Sequence, residues 1–251
     1  MIERAIVTRA RLVFLLLAGL LCASSALASE PLAAAASVAV EAVNANGEAI
    51  ALPAPPGRLA ALIAAGKVRF EFYDADVAPR SAAAETHFEF RYSYKSVSNW
   101  KLVRPGGTDA VEISVRYRDV RLHRTHRMLL PDTLIREDLF EKPLTLHEFD
   151  HVAISSDPRL PALLKSMLHK RNASIVKVLN EHEDGFTGRP TLTDLSRISE
   201  RAVQVASDQV FNEFVDLVGI RYRELDRASQ SGLKPLSPED RFRIIESATA
   251  P

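Results

Sequence analysis

The sequence predicts an α+β fold: an N-terminal antiparallel sheet followed by a helical part. Between Lys67 and Val120 apolar and polar residues alternate, as in strands that bury one face. After Pro131 the apolar spacing changes to the three-and-four rhythm of helices. Strands first and helices second argue for segregated layers rather than alternating βα units. A third observation places chemistry on that frame, because His147-Glu148-Phe149-Asp150-His151 spells H-E-x-x-H inside a helical segment.

Taken in order, Ser37–Val43 reads as one short strand and Leu52-Pro-Ala-Pro-Pro-Gly57 as a linker or turn. Lys67–Tyr73, His87–Tyr94, Trp100–Val103 and Ala110–Val120 read as strands, with a turn at Pro105-Gly106-Gly107-Thr108 between the last two. His123 and His126 stand near the end of that run. Three apart on a strand they face opposite sides, and they read as basic residues that discourage edge pairing. Helices are expected over Thr133–Phe140, Pro143–Ser155, Pro161–Glu181 and Thr193–Ser229, and a short fifth begins at the capping sequence Ser237-Pro238-Glu239-Asp240. Pro143 suits a first helical position, where its missing N–H costs nothing, and Asp157-Pro158 ends the motif helix.

The first residues read as a signal peptide. Arg4, Arg9 and Arg11 precede the apolar run Leu12–Leu21, and Ala26-Leu27-Ala28 is a small-residue cleavage site, so residues 1–28 would be removed and the chain exported to periplasm or medium. The apolar run is short for a bilayer span, which argues against a stable membrane anchor after cleavage. Residues 29–57 form an Ala/Pro-rich extension and residues 58–251 one domain. Cys22 is the only cysteine and lies in the leader, so disulfides, thiolate metal sites and a cysteine nucleophile are excluded from the mature chain. With 32 basic against 32 acidic residues, nothing in the total points to nucleic acid or an anionic membrane as a partner. No G-x-S-x-G elbow, phosphate loop or dinucleotide fingerprint occurs.

Two histidines at i and i+4 share a helix face, about 5–6 Å apart at Cβ, close enough to share one cation. With no thiolate to contribute, that cation would be Zn2+ held by imidazole and carboxylate, His147 and His151 as ligands, with Glu148 placed to take a proton from a metal-polarised water. The bland alternative is an ordinary amphipathic helix with two solvated histidines. A catalytic zinc also needs a third protein ligand. Asp157, the Glu181-His182-Glu183 cluster, and Glu224 or Asp226 are the candidates. Asp226 is favoured, because Tyr222 and Asp226 at i and i+4 would bring a phenol and a carboxylate to one neighbour, the phenol as an oxyanion donor.

Leu130-Pro131, an aromatic-bearing helix, Leu144-Thr-Leu-His-Glu-Phe-Asp-His-Val152 and Leu225-Asp226-Arg-Ala-Ser229-Gln-Ser231-Gly232 together resemble a family of bacterial secreted zinc-dependent proteases, the group named domain of unknown function 922. The resemblance runs over about residues 65–235 in the order of elements. It implies a zincin-like fold, a bound zinc and a peptide or protein substrate. Asp226 and Gly232 match the family's closing pattern and Ser229 stands for its threonine, whereas Ser231 stands where the family has a histidine. The residues thus support an exported zinc metallopeptidase, and the departure at Ser231 motivates a second reading, a non-catalytic envelope protein of zincin shape.

Overall fold

The computed structural model describes residues 40–75 and 83–246, so the leader, its cleavage site and most of the Ala/Pro-rich extension lie outside the described residues. The architecture is α+β. Strand β1 (Glu41–Val43) leads through helix α1 (Gly57–Gly66) to β2 (Val68–Tyr73), and then to the long hairpin of β3 (Glu85–Val103) and β4 (Ala110–Pro131). Helices α2 (Pro143–Ser155) and α3 (Leu160–Arg171), strand β5 (Ser174–Val178), and helices α4 (Glu181–Asp184), α5 (Leu192–Ser229) and α6 (Pro238–Arg241) follow.

The sheet is mixed, not antiparallel. Its order is β1-β2-β4-β3, with β5 also paired to β4; β1–β2 and β2–β4 are parallel, and β3–β4 and β4–β5 antiparallel. For β1–β2 the reason is α1, a helix the sequence did not announce; β2 and β4 run parallel because β3 lies between them in sequence and pairs antiparallel with β4 instead of with β2. Gly-Arg-Leu-Ala-Ala-Leu-Ile-Ala-Ala-Gly is a ten-residue helix that buries Leu59 and Ile63, and a helical crossover is what parallel neighbours need. Lys67 ends it in the left-handed region, at φ 49.

Four other expectations are corrected. The strands expected at 87–94 and 100–103 are one 19-residue strand, bent by a register shift between Ser93 and Lys95. β4 continues to Pro131: His126 is paired on both sides and buried, whereas His123 pairs with Arg91 of β3 alone and is exposed. Thr133–Phe140 forms two 3-10 turns, Asp132–Leu134 and Leu139–Glu141, in place of a helix. The helix expected from Pro161 to Glu181 stops at Arg171. Asn172 is buried and donates to the Tyr117 hydroxyl at 3.1 Å, and β-branched Ile175, Val176 and Val178 then pair with β4. The motif helix and the long helix form as expected, α5 opening with a capping box between Thr191 and Asp194.

Helix α2 lies between two apolar clusters, and this positions the site. Ile154 packs with Ile113, Leu164, Phe214 and Leu225 on one side, while Phe149 and Val152 pack with Phe70, Met128, Leu139 and Ile63 on the other. Such a helix is buried nearly all round, which is why His147, Glu148, Asp150 and His151 are buried along with its apolar residues. α1 holds it from the sheet end at close quarters. A Cβ on Gly66 would stand 2.9 Å from both His126 Nδ1 and Val152 Cγ1 and 3.0 Å from Ser156 Oγ. Gly66→Ala should therefore overpack this junction and lower unfolding free energy by about 1–3 kcal/mol in chemical denaturation; an unchanged midpoint would mean that α1 and α2 are not packed this closely.

Candidate metal centre

The H-E-x-x-H helix and the end of α5 meet at one carboxylate oxygen. Asp226 Oδ1 stands 3.2 Å from His147 Nε2 and 2.9 Å from His151 Nε2. Among the described residues, His147, His151 and Asp226 are the group that could hold a metal ion, their ligand atoms all within 4.8 Å of one another. The spacing suits that occupant: donors about 2.0–2.2 Å from a tetrahedral zinc lie about 3.3 Å from each other. The chemistry suits it too. A neutral imidazole turns a lone pair toward the carboxylate, and only a proton or a cation between them makes the contact favourable. Both histidine side chains are 6% exposed and that of Asp226 43%, so the group is walled by protein and opens to solvent at the carboxylate.

The far side of each ring decides how it presents its lone pair. His147 Nδ1 lies 3.3 Å from Ser229 Oγ; that hydroxyl donates to the Leu225 carbonyl at 2.9 Å and accepts from Gly232 N–H at 3.2 Å. A hydroxyl has one proton, so with Leu225 as its acceptor it must accept from His147 Nδ1–H. That fixes the tautomer with Nε2 free to ligate. Gly232 adds a steric wall, since a Cβ there would come within 3.1 Å of the His147 ring, and its φ of 84 is one that side chains disfavour. His151 is held differently: its Nδ1 is buried without a partner, and its ring lies 4.3 Å from that of Tyr222.

Glu148 is 2% exposed, with Oε2 buried and unpartnered, and its turn of α2 lies against the start of β3, where Thr86 Oγ1 donates to the Glu148 carbonyl at 3.4 Å. Burial pushes its carboxyl above the usual range, against the pull of the two imidazoles. Burial would also push Asp226 up, but its bonds to His147 and His151 outweigh that and hold the carboxyl well below the usual range. Two carboxylates of one site are thus driven apart, one toward a higher proton affinity and one toward staying charged.

The other third-ligand candidates lie elsewhere. Asp157 is taken by Arg159, at 2.7 Å between Oδ2 and Nη2. Glu181, His182 and Glu183 form α4, where Glu183 approaches Lys177 at 3.9 Å. Glu224 does not join the group. Tyr222 borders the site, but its hydroxyl meets Ser155 Oγ at 2.8 Å. Ser155 in turn lies 2.6 Å from His126 Nε2, and His126 Nδ1–H donates to the Gly66 carbonyl at 2.5 Å. With Nδ1 carrying the proton, Nε2 accepts from Ser155, and Tyr222 is left to donate to Ser155. The proton that an oxyanion would need is committed there. Neither Ser155 nor His126 was singled out as part of the site from sequence. Ser155 stands at i+4 from His151, which was the available signal, whereas His126 becomes visible only once β4 is known to be an inner strand. Asp150, on the same helix, pairs with Arg241 at 2.6 and 3.2 Å and ties α6 to α2.

No family model, curated protein or solved structure matches the chain. No helix among the described residues is long and apolar enough to cross a membrane.

Two outcomes follow from this geometry. Burial holds His126 below its ordinary pKa, so on acidification the unfolded chain takes up that proton first. Its contribution is full above pH ~6.5 and is lost as pH falls below it, at up to about 1.4 kcal/mol per pH unit. Urea unfolding at several pH values should show a slope in the wild type that is absent in His126→Gln; equal slopes would refute the assignment. Ser229→Ala should weaken cobalt or zinc binding about 10–100-fold while Ser229→Thr keeps it, as read by metal titration; equal affinity in both variants would remove Ser229 from the site.

Proposed function

We propose that this protein is an exported zinc-dependent hydrolase, most specifically a metallopeptidase. One observation carries the reading. Two buried imidazoles and a carboxylate converge at ligand spacing beside a buried glutamate carboxyl with one unpartnered oxygen and raised proton affinity. The resemblance to secreted zinc-dependent proteases of zincin fold supports it, as does the leader-like N-terminus, which suggests periplasm or medium as the destination.

His147, His151 and Asp226 would hold the metal. A zinc ion there supplies Lewis acidity, bringing the pKa of a bound water toward about 7 and stabilising negative charge on a polarised carbonyl. The protein's own part is proton handling. Glu148 accepts the proton of the attacking water and passes it to the leaving amine, and the burial that raises its proton affinity serves both tasks. Ser229 keeps His147 in the ligating tautomer. Tyr222 packs against His151 and is held by Ser155, so its place in this mechanism is to seat that ring. It becomes an oxyanion donor only if its hydroxyl leaves Ser155.

A second reading, a non-catalytic envelope protein of the same shape, is favoured by two observations: Ser231 stands where the resembled family has a histidine, and the Tyr222 proton is already engaged. Zinc content and peptide cleavage of purified protein separate the two. The hydrolase reading expects about one zinc per chain and chelator-sensitive cleavage of casein or a peptide library. Glu148→Gln should keep the zinc and lose about 10²–10⁴-fold in rate, whereas His147→Ala should lose both. Stoichiometric zinc with no cleavage would establish the binding protein instead.

A further inference from the structure

The neutral total charge conceals a segregated face. From Arg116 to Arg127, β4 carries five arginines against a single acid, Asp119; Arg124 turns to the other side, toward the Ala65 and Asp157 carbonyls, and the other four stay outside. At Asp119 the backbone passes through φ 51 and the alternation slips by one residue, so Arg116 and Arg118 share an exposed face with Arg121, His123 and Arg127. The register carries this face onto β3, where Val97 lies opposite Arg116, Lys95 opposite Arg118 and Arg91 opposite His123.

Apart from Glu41, which stands opposite Arg69 on β1, the acids of this face are already engaged. Glu71 lies near Arg69 and Arg127, Glu85 near His87, Glu89 near Arg91, Glu112 near Lys101 and Asp119 near Lys95. Arg116, Arg118 and Arg121 have no ion pair among the described residues. The aromatic residues of β3, from Phe88 to Trp100, belong to the core on the opposite face. Beside the arginines stand aliphatic side chains instead: Val97, Val176 and Val178 are 46%, 56% and 49% exposed, and the register sets Val176 opposite Glu112 on this same face.

We propose that this outer face docks the protein on an anionic lipid bilayer, with Arg116, Arg118 and Arg121 against the headgroups and the metal centre, on the other side of the sheet, turned to water. Charge complementarity selects an anionic surface, and each basic residue held near one strengthens binding several-fold. The composition selects lipid over a single-stranded nucleic acid, which needs stacking platforms that this face lacks, whereas short aliphatic side chains suit a bilayer interface. The hairpin gives the patch its reach, β4 alone running about 70 Å at about 3.3 Å per residue. None of this depends on the metal.

Sedimentation of the full chain with vesicles tests it. Phosphatidylcholine vesicles with about a third phosphatidylglycerol should carry the protein down at low salt and release it at about 0.5 M salt. Pure phosphatidylcholine vesicles report any pull by the apolar run Leu12–Leu21, which is indifferent to headgroup charge. The triple variant R116Q/R118Q/R121Q should lose at least about tenfold in partition to anionic vesicles, with each single substitution giving a part of it. R189Q/R201Q/R223Q, which removes exposed arginines after β5, should behave as wild type. Equal partition to neutral and anionic vesicles, no partition to either, or an unaffected R116Q/R118Q/R121Q variant would each overturn the proposal. Binding to heparin without binding to anionic vesicles would overturn it as well and point to a soluble polyanion.

Discussion

One carboxylate oxygen between two imidazoles joins the two halves of the site. Asp226 stands near the end of the 38-residue helix α5, far in sequence from the motif helix α2, and its Oδ1 reaches Nε2 of both His147 and His151. Three donor atoms this close need a proton or a cation between them: without metal Asp226 accepts from an imidazole N–H, and a cation would take the place of that proton. The fold holds them together. α5 is anchored along its length by Leu195, Val203, Val210, Phe214, Val218 and Leu225, all buried in the cluster under the sheet, so the position of Asp226 is set by packing elsewhere. That is what preorganisation means here: hydrophobic burial elsewhere sets the three ligand atoms in place before any cation arrives.

The burial that places α2 also sets the chemistry around it. Packed between two apolar clusters, α2 carries Glu148 and Asp150 out of water, and desolvation raises both carboxyls. Asp150 is compensated by Arg241, while Glu148 has an oxygen with no partner. Evolution rarely leaves a buried polar atom unsatisfied without a use for it. The histidines differ in the same way. His147 is braced by Ser229 and by the turn at Gln230, Ser231 and Gly232, three successive residues with positive φ, two of them not glycine. Backbone of that kind costs of order 1–3 kcal/mol per residue and persists where the surroundings demand it.

What could be read in the sequence was what lies close along the chain. The i, i+4 spacing gave the motif helix and the pairing of its histidines, and Pro143 and Asp157-Pro158 gave its limits. The long α5 and its capping signal were equally visible. The choice of Asp226 also rested on helical spacing, together with the family resemblance, and the structure brings that residue to the histidines. What could not be read depends on pairing across the chain. β4 was cut short at Val120 because Arg121, His123, Arg124 and His126 look like a solvated end, yet His126 is enclosed by Gly66, Ser155 and Val68, its β2 partner. α1 was missed because an Ala-rich run after prolines lacks a polar face to reveal its period, and with it went the parallel pairing of β1 with β2. Helix α3 was run on into β5, since Ser174–Val178 is too short to show its alternation against the helical signal before it. The Tyr222 hydroxyl looked available because the network that takes its proton is assembled from α2 and β4.

The most direct test of the account is anomalous diffraction at the zinc edge from crystals of zinc-loaded protein. The account predicts one strong peak per chain, within about 2.2 Å of His147 Nε2, His151 Nε2 and a carboxylate oxygen of Asp226. No peak between α2 and the end of α5, or a zinc bound there without Asp226, would contradict it.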